Sequence, residues 1–214
     1  MVDILNEIDE EIKQDKVFQW WKRYGAYVLG LIGAVIIGSA GYYGWMEYEE
    51  RKVEERSQQF AQAVELRNQG DEEGAAQALA RVADTSDSYA MLASFERAKS
   101  LINLGNTEDA VAVYDKVAND TKVDGLYREL ATVFSVMQQL DTGDAEVLSN
   151  RLSPLTSEGK PFRFAALEMT ALLAIRAGDV EKAKTLFGEL EKLDDLPGQM
   201  KARASEYLTA LSIN

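Results

Sequence analysis

The 214-residue sequence contains no cysteine and no histidine. The first absence removes thiol nucleophiles and disulfides; the second removes the commonest general base and the commonest metal ligand. Only carboxylates, lysines, tyrosines and hydroxyls remain for chemistry. Proline is scarce, at three residues, in a chain rich in strong helix formers. Positive charge is short as well: 23 Lys and Arg stand against 36 Asp and Glu, a net charge of -13. Such a surface repels nucleic-acid phosphates, so nucleic acid is not an expected partner. Acidic groups such as Asp71-Glu72-Glu73, Glu108-Asp109 and Asp194-Asp195 fall at helix starts or in turns, where capping and solvation account for them. No nucleophile with a positioned base can be read, and the sequence predicts a non-enzyme with no cofactor and no metal site.

What the chain does have is one long uncharged run, GAYVLGLIGAVIIGSAGYYGW, from Gly25 to Trp45. As a helix its twenty-one residues reach about 32 Å, against about 30 Å of bilayer hydrocarbon. Trp20, Trp21 and Tyr24 precede it and Tyr42, Tyr43, Trp45 and Tyr48 close it, as aromatic belts at the two interfaces. Gly38-Ser39-Ala40 offers small residues for a signal peptidase, but a cleaved leader is short and basic. The first 23 residues instead carry six acidic and four basic side chains, with an apolar stripe at Ile4, Leu5, Ile8 and Ile12. The reading is an uncleaved anchor. Lys22 and Arg23 at one edge, against Glu47, Glu49 and Glu50 at the other, place the N-terminus inside and the C-terminal part outside. Ala26, Gly30, Ala34 and Gly38 recur every four residues and would let another helix approach closely in lipid. A partner span, a second copy of the chain, or simple membrane-helix composition all fit that row. From Met46 to Gln69 there is neither Pro nor Gly, so the helix is expected to continue as a stiff stalk.

Beyond the stalk four segments align on glycines spaced 35, 38 and 35 residues apart, at Gly70, Gly105, Gly143 and Gly178. At five, nine and twelve residues after each glycine stand Ala75, Leu79 and Val82; Ala110, Tyr114 and Val117; Leu148, Leu152 and Leu155; Ala183, Phe187 and Leu190. All are apolar. Glycine in the left-handed conformation ends one helix, and Asp71, Asn106, Asp144 or Asp179 caps the next. A small residue five positions on lets the paired helices cross closely. The expected first helices are 57–69, 88–104, 123–142 and 162–177, with Pro161 and Pro197 between units. Met200, Ala204, Tyr207, Leu208 and Leu211 give the last segment an apolar face to cover the end of the stack.

These units resemble the tetratricopeptide repeat. The likeness is good at Gly105-Ala110-Tyr114 and Gly178-Ala183-Phe187, fair at Gly70-Ala75-Leu79, and weak at Gly143, where Leu148 replaces the small residue and Pro154 shortens the helix. The repeat's first-helix Trp and Tyr are missing. Together with Asp9-Glu10-Glu11, Trp21-Lys22-Arg23-Tyr24-Gly25 and Gly41-Tyr42-Tyr43-Gly44-Trp45, the whole chain looks like the bacterial membrane-anchored tetratricopeptide family of the ancillary Sec translocon subunit. The resemblance implies a single-pass inner-membrane protein with its repeats in the periplasm, and Sec translocon subunits, periplasmic chaperones or exported chains as partners. A scaffold for another envelope machine, for division or outer-membrane biogenesis, has the same architecture.

The expected fold is therefore all-α. A leader (1–23), a transmembrane helix (24–46) and a stalk (47–56) precede a right-handed stack of four divergent hairpins (57–196) and a capping helix (197–214). In the tetratricopeptide register, positions thirteen, ten, six and three before each glycine face the concave side. These include Leu92, Phe95, Lys99 and Ile102; Leu130, Val133, Met137 and Leu140; Glu168, Leu172 and Ile175. They form either a partner-binding groove, with Phe95, Lys99, Ile102, Val133, Met137 and Leu172 as its candidate residues, or ordinary core if the register slips by one.

Overall fold

A computed structural model describes the backbone of residues 3–85 and 88–213, and side chains from residue 20 to 213 except 28, 32 and 86–88. The apolar stripe of the leader at Ile4, Leu5, Ile8 and Ile12 lies outside the described side chains. The described residues are helical, with no strand among them. The chain divides into two compact units, Met1–Glu55 and Arg56–Asn214.

The first unit consists of the leading part of α1 (Asp3–Asn68). Within α1, Trp20–Asn68 is long and apolar enough to cross a membrane by length and composition. Among the described residues between 20 and 48, the large apolar side chains Tyr27, Leu31, Ile36, Ile37 and Trp45 are all exposed. Gly25 is buried, because the Trp21 indole lies over it, 3.2 Å from where a Cβ would stand. After the run, Arg51 pairs with Glu47 at 2.7 Å and Lys52 lies 4.3 Å above the Tyr48 ring.

The second unit is a stack of helical hairpins. The end of α1 packs on α2 (Glu72–Ala83) through Phe60 and Ala63 in one cluster with Leu79 and Val82, and α3 (Ser88–Asn103) pairs with α4 (Thr107–Asn119). Next, α5 (Gly125–Gln139) pairs with α6 (Ala145–Leu152) and a single 3-10 turn (Ser153–Leu155). Finally α7 (Arg163–Arg176) pairs with α8 (Val180–Glu191), and α9 (Gly198–Ile213) follows. All twelve apolar positions of the glycine-based register are buried, from Ala75 through Leu190. The spacing therefore marks the seam along which each second helix packs into the stack. The α9 helix closes the far end through Ala204, Tyr207, Leu208 and Leu211 on the cluster around Phe187 and Leu190.

Three turns have the geometry expected of them. Gly70, Gly105 and Gly178 adopt φ of 88°, 79° and 79°. In each, the next residue's N–H returns to a carbonyl five residues back, as in Asn106 to Leu101 at 2.8 Å. Two expectations need correction. Gly143 is not left-handed; it is required because a Cβ there would stand 2.9 Å from Leu148 Cδ1 and 3.2 Å from the Gln139 carbonyl. Asp71, Asp144 and Asp179 cap their helices, but the Asn106 side chain makes no capping hydrogen bond. Its backbone already satisfies the turn, and Glu108 and Asp109 supply negative charge to that first turn.

Candidate partner-binding site

The first helices of the hairpins present the residues predicted to face the concavity, and burial sorts them. Lys99 is exposed, as are Met137, to 45%, and Leu92, to 43%. Phe95, Ile102 and Leu172 are half-buried, each packed by one side on a core cluster. Val133 is in the core, 6% exposed against Leu148, Leu152 and Met169, and offers no surface to a partner. Along α3 the named positions are exposed or half-buried, whereas on α5 Met137 rather than Val133 stands at the surface.

The half-burial of Phe95 has a specific cause. Its ring lies 5.8 Å from Tyr114 of α4 and 6.0 Å from Phe134 of α5, and those two rings are 5.5 Å apart. The three rings lock the second hairpin to the third, and burial pushes the Tyr114 hydroxyl pKa up. Further along the stack Glu168 is taken up by α9: Arg203 donates to both of its carboxylate oxygens, at 2.8 and 3.0 Å. Lys99 and Met137 therefore share the second and third hairpins, while α9 covers the first helix of the fourth.

Sequence patterning did not reveal the polar ties between hairpins. Ser135, fully buried on α5, donates to Asp115 Oδ1 of α4 at 2.6 Å, and Arg151 of α6 donates to the same oxygen at 2.5 Å. Arg176 of α7 donates to the Leu140 and Gly143 carbonyls at the end of α5. Arg67 pairs with Glu96 across the first two hairpins. Each tie joins residues roughly one repeat or half a repeat apart, and no local pattern marks them.

In the membrane-spanning candidate, Ala26, Gly30, Ala34 and Gly38 are all exposed, and nothing lies within 4 Å of where a Cβ would stand on Gly30 or Gly38. Among the described residues no group of three or more acidic side chains is arranged to hold a metal ion.

Paired helices turning on left-handed glycines, sealed along one seam and capped at the end, define a helical-repeat protein. A family model described as a tetratricopeptide repeat-like domain matches residues 19–195, and the chain belongs to that family. The match includes the apolar run as well as the hairpins. The chain is similar to the ancillary SecYEG translocon subunit of Haemophilus influenzae, 26% identical over 190 residues that cover 86% of this chain and 90% of that protein. No solved structure matches the chain.

Proposed function

We propose that the protein is a membrane-anchored scaffold that holds partner proteins beside the protein-export channel, on the periplasmic face of the inner membrane. The observation that carries this reading is the joining, in one chain, of a bare apolar helix to a repeat stack. The same span of sequence aligns nearly end to end with a protein named for the SecYEG translocon. Lys22 and Arg23 before the run and Glu47, Glu49 and Glu50 after it support an inside N-terminus. Helical-repeat stacks bind on the surface made by their first helices. Leu92, Lys99 and Met137 supply that surface, with the free edges of Phe95, Ile102 and Leu172 beside them. The reading is non-catalytic and needs no cofactor.

The Ala26, Gly30, Ala34, Gly38 row is assigned to contact with another span, either of the translocon or of a second copy. Photocrosslinking from Met137 and from Gly38 in intact membranes, followed by identification of the attached proteins, tests the whole proposal. Translocon subunits, export chaperones or exported chains support it. Attachment only to division or outer-membrane assembly proteins replaces it with the scaffold role in another envelope machine.

A further inference from the structure

A cleft opens at the edge of the stack away from Gly70 and Gly105, where the ends of α2 and α4 meet the starts of α3 and α5. It encloses about 430 Å³, within the range of about 300–1,000 Å³ usual for ligand pockets. Its floor is apolar: Val117 is buried, and Ala83, Ala90, Met91 and Val123 are half-buried around it. The two hydroxyls of the floor already donate within their own helices or turns, Ser94 to the Ala90 carbonyl at 2.8 Å and Thr85 to the Val82 carbonyl at 2.7 Å. A polar small molecule meets no unused donor there, whereas an apolar side chain gains cover from water.

The rim adds charge unevenly. Asp84 and Lys116 neutralise each other at 3.2 Å across the first two hairpins. In the turn from α4 to α5, Asp120 and Asp124 each engage only Oδ1, which accepts the Lys122 and the Leu126 backbone N–H respectively, both at 2.9 Å. Against these two carboxylates the cleft sets one further lysine, Lys122. Tyr127, exposed in the first turn of α5, lines the same opening. The net charge of -13 on the chain reinforces the negative sign of the rim.

We propose that this cleft docks an extended segment of a partner polypeptide in which a basic residue adjoins a large apolar one. The apolar side chain fills the floor beside Met91 and Val117, and the neighbouring cation lies between the remaining Asp120 and Asp124 oxygens and the Tyr127 ring. The same rim repels an acidic segment of equal apolar content. Lys99 and Met137 lie toward the other ends of α3 and α5, so the cleft is a second site, distinct from the surface those residues supply. It does not depend on which complex the protein serves.

Fluorescence anisotropy with the full chain in phosphatidylcholine nanodiscs tests it. The probes are labelled, end-blocked peptides that differ only at their centre: Lys-Phe-Lys, Glu-Phe-Glu and Lys-Ser-Lys. The first is expected to bind at least about tenfold more tightly than either of the others. Asp120→Asn keeps an acceptor for the turn and removes the charge; it and Tyr127→Ala are each expected to weaken binding at least about threefold. Lys122→Glu is expected to strengthen it at least about twofold. Val147→Ser, at an exposed apolar position on α6, leaves it unchanged. All four substitutions are at exposed positions, and an unchanged melting temperature confirms that each variant is folded. Equal affinity for Lys-Phe-Lys and Glu-Phe-Glu, no binding of Lys-Phe-Lys up to about 1 mM, or an equal loss in Val147→Ser and Tyr127→Ala overturns the proposal.

Discussion

Tyr207 of α9 lies flat on Phe187 of α8, with ring centroids 4.8 Å apart and planes 11° from parallel. Phe187 is fully buried, and without α9 its face and the surrounding Leu190 and Leu196 would meet water. Tyr207→Ala is therefore expected to destabilise the repeat unit by about 2–4 kcal/mol, from lost apolar burial and the aromatic pair together. Urea unfolding followed by circular dichroism measures it. A loss below about 0.5 kcal/mol would show that α9 does not close the stack.

Two glycines that look alike in sequence are expected to fail for different reasons. Gly105→Ala forces a left-handed alanine with no neighbour within 4 Å to blame, at about 1–2 kcal/mol. Gly143→Ala instead drives a methyl into Leu148 and the Gln139 carbonyl, at about 1–3 kcal/mol. Adding Leu148→Val should recover part of the second loss and none of the first. Unfolding midpoints of the four variants check this.

The tie between Asp115, Ser135 and Arg151 acts as one unit on Asp115 Oδ1. In a double-mutant cycle, Ser135→Ala and Arg151→Met are expected to couple by about 0.5–3 kcal/mol. Strictly additive losses would mean that the two donors act independently.

Glu72 sits beside the buried Ser100 hydroxyl, which holds its carboxyl below the usual range; desolvation opposes this, while Asn103, Arg67 and Lys99 assist. A carboxylate depressed in the folded state contributes stability that is complete above its unfolded value, about 4.3, and is lost as pH falls through the lower folded value. The stability gap between the native chain and Ser100→Ala should therefore be present at neutral pH and shrink below about pH 4. A gap unchanged down to about pH 3 contradicts this coupling.

Where the determinants were local, the sequence was readable. Helices, three of the four turns and the buried seam followed from glycine conformation and a fixed apolar spacing, because both act within one hairpin. Gly143 misled because its requirement is steric, set by Leu148 and Gln139 once the hairpin has formed. Val133 and Met137 are four residues apart on one helix, yet one is core and the other surface. Their difference is set by how α6 and α7 pack against α5, which spacing along α5 does not contain. The arginine ties were invisible for the same reason: their partners are carbonyls and carboxylates on other hairpins.

The central claim is that one chain anchors a protein-binding repeat stack beside the export channel. Crosslinking from a photoreactive residue at position 137, in place of Met137, tests it most directly in intact membranes, with a parallel sample that also carries Lys99→Ala and Leu92→Ser. The account predicts adducts to translocon subunits or proteins in export that fall at least about fivefold in the parallel sample at unchanged thermal stability. Adducts only to cytosolic proteins would contradict both the orientation and the function.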